Sequence, residues 1–479
     1  LDHHGDTRPD RSVDPEDPLM TPAELQQKRV LVAGLGVSGA AVVRYLVRNN
    51  VSFDVADSGS VDGAELPESA QVHSTLSVAV DYEVVILSPG IPRAHPAIAA
   101  ACDAGVSVIG DIELFACAVG DVPVIAVTGS NGKSTVVAWL AHVLCECGLD
   151  AKACGNIGIA ALDALEESAS VYVLELSSYQ LESVTRLRPL VAVALNVSDD
   201  HLDRYASIDA YAAVKRHVYD GAQCCVVNAL DQRTQPERPL RSSDASVFAI
   251  TDQPLSEDAA APVCWHFCNA EPASSLQLCR NGEAVLDAAA LAVPGVHNAS
   301  NALVVLALAE CLERETGCKL ECDALIGALA NWPGLPHRTA LIAEHAGVRW
   351  YDDSKGTNVD ACIKAVEAMP GPVVLIAGGV AKGADFLPLA ELARQRIKHV
   401  VLIGRDRAAL RQVLHGSAEL SDAESMPEAV TAAHAASEHG DVVLLSPACS
   451  SFDMFDNYVA RGLAFQQAVA VTTAAQVAS

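Results

Sequence analysis

A strand-like run, a short glycine-rich turn and a lysine follow one another in VTGSNGKST, residues 127–135. Backbone N–H groups exposed in such a turn, at the start of a helix, stabilise an anion. Lys133 would then reach the β- and γ-phosphates of a nucleotide, and the Ser134 hydroxyl would ligate Mg²⁺. The spacing is G-x-x-G-K-S, shorter than the usual G-x-x-x-x-G-K-[ST], with Val127 where the first glycine would stand. Two more reactive groups follow apolar runs, Glu175 in LELSSYQLE and His201 in NVSDDHLDRY. At strand C-termini they would lie on the edge where open α/β sheets bind ligands, and together they could hold a second Mg²⁺. Taken singly, a capping role explains Glu175 as well, and a satisfied loop histidine explains His201. Lys215 lies on the helical stretch DAYAAVKRHVY, where a lysine is ordinarily a solvated surface charge.

A second glycine turn lies upstream. Arg29 to Ala33 reads as a buried strand, Gly34-Leu-Gly36-Val-Ser-Gly39 as a G-x-G-x-x-G turn before a helix, and Asp57 follows near the end of the next strand. This is the dinucleotide fingerprint, with glycines admitting a pyrophosphate and an acid placed for a ribose hydroxyl. NAD, another nucleotide or no ligand at all fits it equally; tight helix-on-strand packing has the same pattern.

Both turns belong to a repeated grammar in which apolar strands end in glycine or a small polar residue and lead into helices. That alternation implies α/β domains with largely parallel sheets. It falls into three blocks, opened by RVLVAGLGVSG and PVIAVTGSNGKST, the third containing PVVLIAGG, HVVLIGR and DVVLLSPA. Turn residues near GDIELF and WPGLPHR put the expected boundaries at 28–111, 112–334 and 335–479, with residues 1–27 a polar, proline-rich leader expected to be disordered.

The 479 residues are enough for several domains, each with its own core. Basic residues number 32 against 60 acidic, a net charge of −28, which argues against a nucleic-acid or anionic-membrane binder, and no apolar run is long enough for a membrane span. The 15 cysteines contain no C-x-x-C pair, so neither a zinc site nor a disulfide framework is indicated, and most are expected to be reduced core thiols in a cytoplasmic protein.

The shortened loop TGSNGKST, with LELSSYQLE, NVSDDHLDRY, HNASNA, GLPHR, DDSKGTN and SPACSSFDMF, resembles the Mur ligases from about Arg29 to the C-terminus, in order, and especially the branch that adds D-glutamate. The resemblance implies a Rossmann-like first domain, a P-loop-type ATPase domain and a Rossmann-like third domain that closes about Trp332–Leu335. ATP would be the co-substrate, its phosphates held by Gly129, Ser130, Asn131, Gly132, Lys133, Ser134 and Thr135. Asn298 and Asn301 would lie near adenine, Asp353 at the ribose, and Arg338 would make a further nucleotide contact. The first turn would receive the UDP of UDP-N-acetylmuramoyl-L-alanine through Val37, Ser38, Asp57, Ser58 and Gly90. Asn156, Gln180 and His201 would take its muramoyl-alanine end. D-Glutamate would meet Lys355, Thr357, Lys382, Ser451, Phe452 and Tyr458. Lys215 matches a lysine that the family carbamylates with CO₂, and two Mg²⁺ ions are implied, one on Ser134 and one near Glu175, His201 and the carbamate. A cytoplasmic, monomeric enzyme is expected. This chain departs from the family pattern at Gly59, where an arginine is familiar, at Val380, where an aspartate is common, and at Tyr458, where a phenylalanine is familiar. Alternatives from the same residues are a ligase adding L-alanine, a diamino acid, or glutamate to folate, an NAD-binding oxidoreductase or redox sensor, and a non-enzymatic ATP-binding module.

Overall fold

Runs such as VLVA, VVIL, VIAVT and VVLIAG are buried at every position, which a strand achieves only inside a sheet covered on both faces. The computed structural model describes residues 20–59, 66–200, 204–236, 245–248, 263–269, 276–381 and 383–477. His201 and Lys382, both expected in the site, lie outside the described residues, as do residues 1–19.

The first sheet contains β1 (Val30–Ala33), β2 (Phe53–Ala56), β3 (Val72–His73), β4 (Val84–Leu87) and β5 (Ser107–Gly110), all parallel, in the order β3-β2-β1-β4-β5. The order reverses between β1 and β4, and the crevice beyond their C-terminal ends is where a doubly wound sheet takes a ligand.

The second sheet contains β6 (Val124–Thr128), β7 (Ala151–Gly155), β8 (Val171–Glu175), β9 (Val191–Ala194), β10 (Cys224–Asn228), β11 (Ala245–Phe248), β12 (Cys264–Asn269), β13 (Leu276–Arg280) and β14 (Glu283–Asp287). Its order is β14-β13-β12-β11-β10-β9-β6-β8-β7, so β6, which feeds the phosphate-type loop, lies centrally between β9 and β8.

The third sheet contains β15 (Ala340–His345), β16 (Val348–Asp352), β17 (Val373–Gly378), β18 (Ile397–Ile403), β19 (Glu419–Asp422) and β20 (Val442–Leu445). Its order is β15-β16-β20-β17-β18-β19, parallel apart from the β15 edge.

The chain forms two compact units. One runs as far as Leu286 and includes Ala302–Leu329, so the first two sheets share it; the other takes Asp287–Asn301 and the chain from Ala330. Within the expected leader, Pro22–Leu25 is a helical turn closed by a reciprocal capping box between Thr21 and Glu24, with Leu25 wholly buried. Among the described residues no helix is long and apolar enough to cross a membrane.

The expectation that most cysteines are reduced thiols holds for thirteen of the fifteen, with one pair as the exception. Cys268 and Cys279, diagonal neighbours across the antiparallel β12–β13 pair, are joined as a disulfide with their Cα atoms 6.3 Å apart. Of the thiols, Cys154, Cys224, Cys225, Cys311, Cys362 and Cys449 are buried, while Cys145 and Cys322 are exposed.

Candidate active site

The first glycine turn opens on the switch point between β1 and β4. A Cβ on Gly39 would lie 1.9 Å from the Gly34 carbonyl oxygen, so the third glycine is needed for the helix Val37–Arg48 to sit this close to its strand. Asp57 secures the turn from the neighbouring strand, accepting from Leu35 N at 2.6 Å through Oδ2 and from Gly59 N at 2.7 Å through Oδ1. Where an arginine was expected, Gly59 thus contributes a backbone donor to Asp57. Asp111 is buried, which pushes its carboxyl above its ordinary range, and the nearby Ser38 side chain opposes that rise. Asp111 also accepts from Gln180 Nε2 at 3.1 Å, joining the first turn to the wall of the second sheet.

Val37, Ser38, Asp57, Ser58, Gly90, Asn156 and Gln180 line a single cavity of about 850 Å³, and Lys133 and Lys215 line it too. The structure therefore brings together every described residue expected to hold the UDP precursor, and it adds two lysines of the phosphate-loop region.

The loop after β6 is held from β9. Asn196 receives Asn131 N on Oδ1 at 2.9 Å and donates Nδ2 to Asn131 O at 3.1 Å, while Ser130 N donates to Asn196 O at 2.9 Å. Ser130, Ser134 and Thr135 are buried at the start of the helix Lys133–Glu146. Lys133 Nζ donates to Gly129 O at 2.7 Å and to Ser130 O at 3.0 Å.

Lys215 is only 1% exposed, and its Nζ donates to the same Gly129 carbonyl at 2.8 Å while lying 4.4 Å from the centre of the Tyr211 ring. Burial, and then the positive charge of Lys133, hold its ammonium well below the ordinary lysine value of 10.5. The surface reading of this lysine is thereby excluded. Glu175, at the end of β8, is 1% exposed. Its Oε1 accepts from Asn156 Nδ2 at 2.9 Å, and its Oε2 has no hydrogen-bond partner among the described residues. Gly155 allows this approach: a Cβ there would lie 2.4 Å from Glu175 O. A buried, half-satisfied carboxylate beside a cavity that also receives two lysines is suited to a cation or a phosphate-bearing substrate.

In the second unit, Asn298 donates Nδ2 to Pro294 O at 2.7 Å, and Asn301 donates to Asn298 Oδ1 at 3.5 Å. Asp353 accepts from Thr339 N at 3.1 Å and Ser446 Oγ at 2.6 Å; burial raises its carboxyl to about 7, against the opposing charge of Arg338. Lys355 Nζ stands 4.1 Å over the Tyr458 ring, and Thr357 N donates to Lys355 O at 2.8 Å. Ser451 is buried, whereas Phe452 is 72% exposed and so is not a core aromatic.

Arg461 sits behind this group, 1% exposed, with Nε on Ser354 Oγ at 3.0 Å, Nη2 on Ser354 O at 2.8 Å and Nη1 on Cys449 O at 3.1 Å. Burial lowers its guanidinium to about 10. It ties the loop after β16, which carries Lys355, to the loop after β20, which carries Ser451. Arg461→Met is expected to leave these acceptors unsatisfied and to cost about 2–4 kcal/mol of stability, read by urea unfolding. A cost under about 0.5 kcal/mol would show that the loops do not depend on it.

Asp111, Asn196, Arg461 and Tyr211 were not singled out from the sequence. Asp111, Asn196 and Arg461 act through partners distant in the chain, whereas Tyr211 meets Lys215 four residues on; Asn196, in NVSDDHLDRY, and Tyr211, in DAYAAVKRHVY, lie within stretches already in view as chemistry.

Comparison with known proteins follows the same three-part division. Residues 28–110 match the model "Mur ligase MurD-like, N-terminal domain", residues 127–309 the Mur ligase middle domain, and residues 337–449 the Mur ligase glutamate ligase domain. The UDP-N-acetylmuramoylalanine--D-glutamate ligase of Nitrosococcus oceani is 41% identical over 92% of this chain and 96% of its own. The protein of that name from Chromobacterium violaceum is 41% identical over 94% of this chain and 99% of its own. In fold, the chain is similar to the UDP-N-acetylmuramate-alanine ligase of Thermotoga maritima, with a TM-score of 0.58 at 19% identity over 93% of this chain and 100% of that one. A MurF ligase from the same organism, solved with ADP, gives a TM-score of 0.56 at 15% identity over 95% of this chain and 97% of that one. Three successive domain matches, with relatives of this identity along nearly the whole chain, show that it belongs to the Mur ligase family.

Proposed function

We propose that this chain is an ATP-dependent ligase joining D-glutamate to UDP-N-acetylmuramoyl-L-alanine in peptidoglycan precursor synthesis, with release of ADP and phosphate. The observation that carries this reading is the shared cavity. Its lining includes the Gly34–Ser38 turn suited to a nucleoside diphosphate and also Lys133 and Lys215 beside the phosphate loop. A long precursor bound at the first would present its carboxylate at the second. The names of the relatives supply the amino acid.

A carboxylate does not accept an amine directly, because oxide is too poor a leaving group. An oxygen of the alanyl carboxylate attacks the γ-phosphorus of ATP; the bond to the bridging oxygen breaks, and ADP leaves with that electron pair. The D-glutamate amine then attacks the acyl carbonyl, and the tetrahedral adduct expels phosphate while the nitrogen gives up its proton. Two anions must meet in the first step, so neutralising charge is the main electrostatic task. Lys133 supplies a cation at the loop, and the N–H groups at the start of the helix, from Gly132 to Thr135, orient the phosphates, while those of Ser130 and Asn131 are held by Asn196. Asn156 and Gln180 position the alanyl end, and Lys355, Thr357, Lys382, Ser451, Phe452 and Tyr458 form the D-glutamate pocket.

The donor set fits magnesium, which commonly takes one or two carboxylates together with substrate phosphates. Ser134 would hold one ion and Glu175, with its unsatisfied buried Oε2, a second, joined by His201 and Lys215 as carbamate. When bound, such ions neutralise and orient the reacting oxygens. The depressed Lys215 ammonium supports the carbamate: its neutral amine attacks the carbon of CO₂, a C=O pair moves to oxygen, and nitrogen releases a proton to solvent.

The test is phosphate release from ATP and Mg²⁺ with UDP-N-acetylmuramoyl-L-alanine and either D-glutamate, L-glutamate, meso-diaminopimelate or no amino acid. Turnover confined to D-glutamate, with ADP and amide in equal amounts, is expected. Turnover with a different amino acid alone would overturn the pocket assignment, and no precursor-dependent turnover would overturn the ligase.

A further inference from the structure

We infer that Arg204 is a positioning residue that sets the two walls of the precursor cavity at the separation required by the whole ligand. Its guanidinium uses both edges and one face. Nε donates to Glu182 Oε1 at 3.0 Å, Nη2 to Glu182 Oε2 at 2.6 Å, and Nη1 to Pro89 O at 3.0 Å. The plane of Tyr179 lies against it, 4.0 Å from ring centre to Cζ. Tyr205 completes the arrangement, donating its hydroxyl to Glu182 Oε1 at 2.7 Å.

These partners come from the two different sheets that line the cavity. Pro89 lies in the loop after β4 of the first sheet, beside Gly90, and Tyr179 lies in the turn after β8 of the second, beside Gln180. Pro89 and Tyr179 both line the cavity, whereas Arg204 does not. It therefore acts through the walls rather than on the ligand.

Other links cross between these sheets: the buried Asp111–Gln180 bond is a single contact between two side chains, and a second ion pair is more exposed. Arg44 pairs with Asp163 at 2.6 Å with its side chain 48% exposed, whereas the Arg204 and Glu182 side chains are 11% and 17% exposed. An exposed pair is screened and contributes little; a part-buried bidentate pair with a third, carbonyl partner defines geometry. Lysine cannot reproduce it, because a single ammonium lacks the planar fork that reaches Glu182 and Pro89 at once.

The inference rests on the proposed substrate, and it separates that ligand into two parts. UDP touches the first wall alone. The complete precursor spans both, so an error in their separation penalises the precursor and spares UDP.

Isothermal titration would give dissociation constants for UDP and for UDP-N-acetylmuramoyl-L-alanine with wild type, Arg204→Lys and Glu182→Gln, alongside KM for the precursor and for ATP. Arg204→Lys is expected to weaken the precursor by about tenfold, with UDP affinity and the KM for ATP changed less than about twofold. Glu182→Gln should move the same quantities in the same direction by less. Equal weakening of UDP and precursor would reduce Arg204 to a general structural role, and no weakening of either would remove it from the site; both overturn the inference. Thermal melts of both variants check folding, and Glu182→Gln carries the test if Arg204→Lys does not fold. Wild type that binds precursor more tightly than UDP without turning it over would sink the ligase reading and leave the brace open to the same binding test. Wild type that binds both equally would overturn the brace itself.

Discussion

Lys215→Ala should lower ligase turnover by about 10³-fold and recover part of it when a short carboxylic acid such as acetate or formate is added. The argument begins with burial. A lysine that is 1% exposed and has no carboxylate hydrogen-bonded to its Nζ among the described residues would carry its charge at high cost. Its amine also meets Lys133 at the same Gly129 oxygen, so two ammonium groups there repel. Both effects favour neutral Lys215, the form that captures CO₂, and the carbamate formed would turn a repulsive pair into an attractive one. Alanine leaves room for a small carboxylate to replace that anion, which is why chemical rescue separates a required negative charge from mere loss of packing. Full activity without rescue would refute the carbamate, and lost activity with no rescue by any short acid would leave only a packing role.

The same group predicts a stability effect of opposite sign. The folded pKa is depressed below the unfolded value of 10.5, so between the two the unfolded chain binds more protons and stability rises with pH. Lys215→Met removes that penalty. It is expected to be more stable than unmodified wild type by about 1–3 kcal/mol near pH 7, the gain shrinking as pH approaches 10.5. Urea unfolding in CO₂-free buffer at two pH values measures it, and a gain independent of pH would assign the effect to packing.

How much of this was legible follows from chain distance. The phosphate loop was, because strand, turn, lysine and serine are contiguous and their spacing alone places N–H groups at a helix start. The sheets were as well, since strands buried on both faces leave uninterrupted apolar runs such as VVLIAG. Lys215 was not legible from its helix: an amphipathic pattern cannot show that this position faces Gly129, 86 residues away. Only the resemblance singled it out. Asn196, Asp111 and Arg204 act across separations of 65, 69 and 115 residues, on partners that topology alone brings close. The Cys268–Cys279 bond was missed for the same reason, since spacing without register does not reveal that the two are diagonal neighbours across a hairpin.

Lys133→Met should abolish measurable turnover, a loss of about 10³-fold or more, because the cation that meets the transferring phosphoryl group is removed. Two further consequences follow from its contacts. Lys133 Nζ holds the Gly129 and Ser130 carbonyls, so its loss loosens the loop that presents the phosphate-binding N–H groups, and ATP affinity should fall along with kcat. Its charge also helps depress Lys215, and removing it raises that pKa, leaving less neutral amine to take up CO₂ and no cation to stabilise the product. The two lysines therefore act as a unit. Lys133→Met combined with Lys215→Ala should lose much less than the product of the single losses, and acetate should rescue Lys215→Ala but not the double variant. Independent, multiplicative losses in single-turnover ADP formation would show that each lysine serves the phosphoryl step on its own, and the coupling inferred from their shared carbonyl would be wrong.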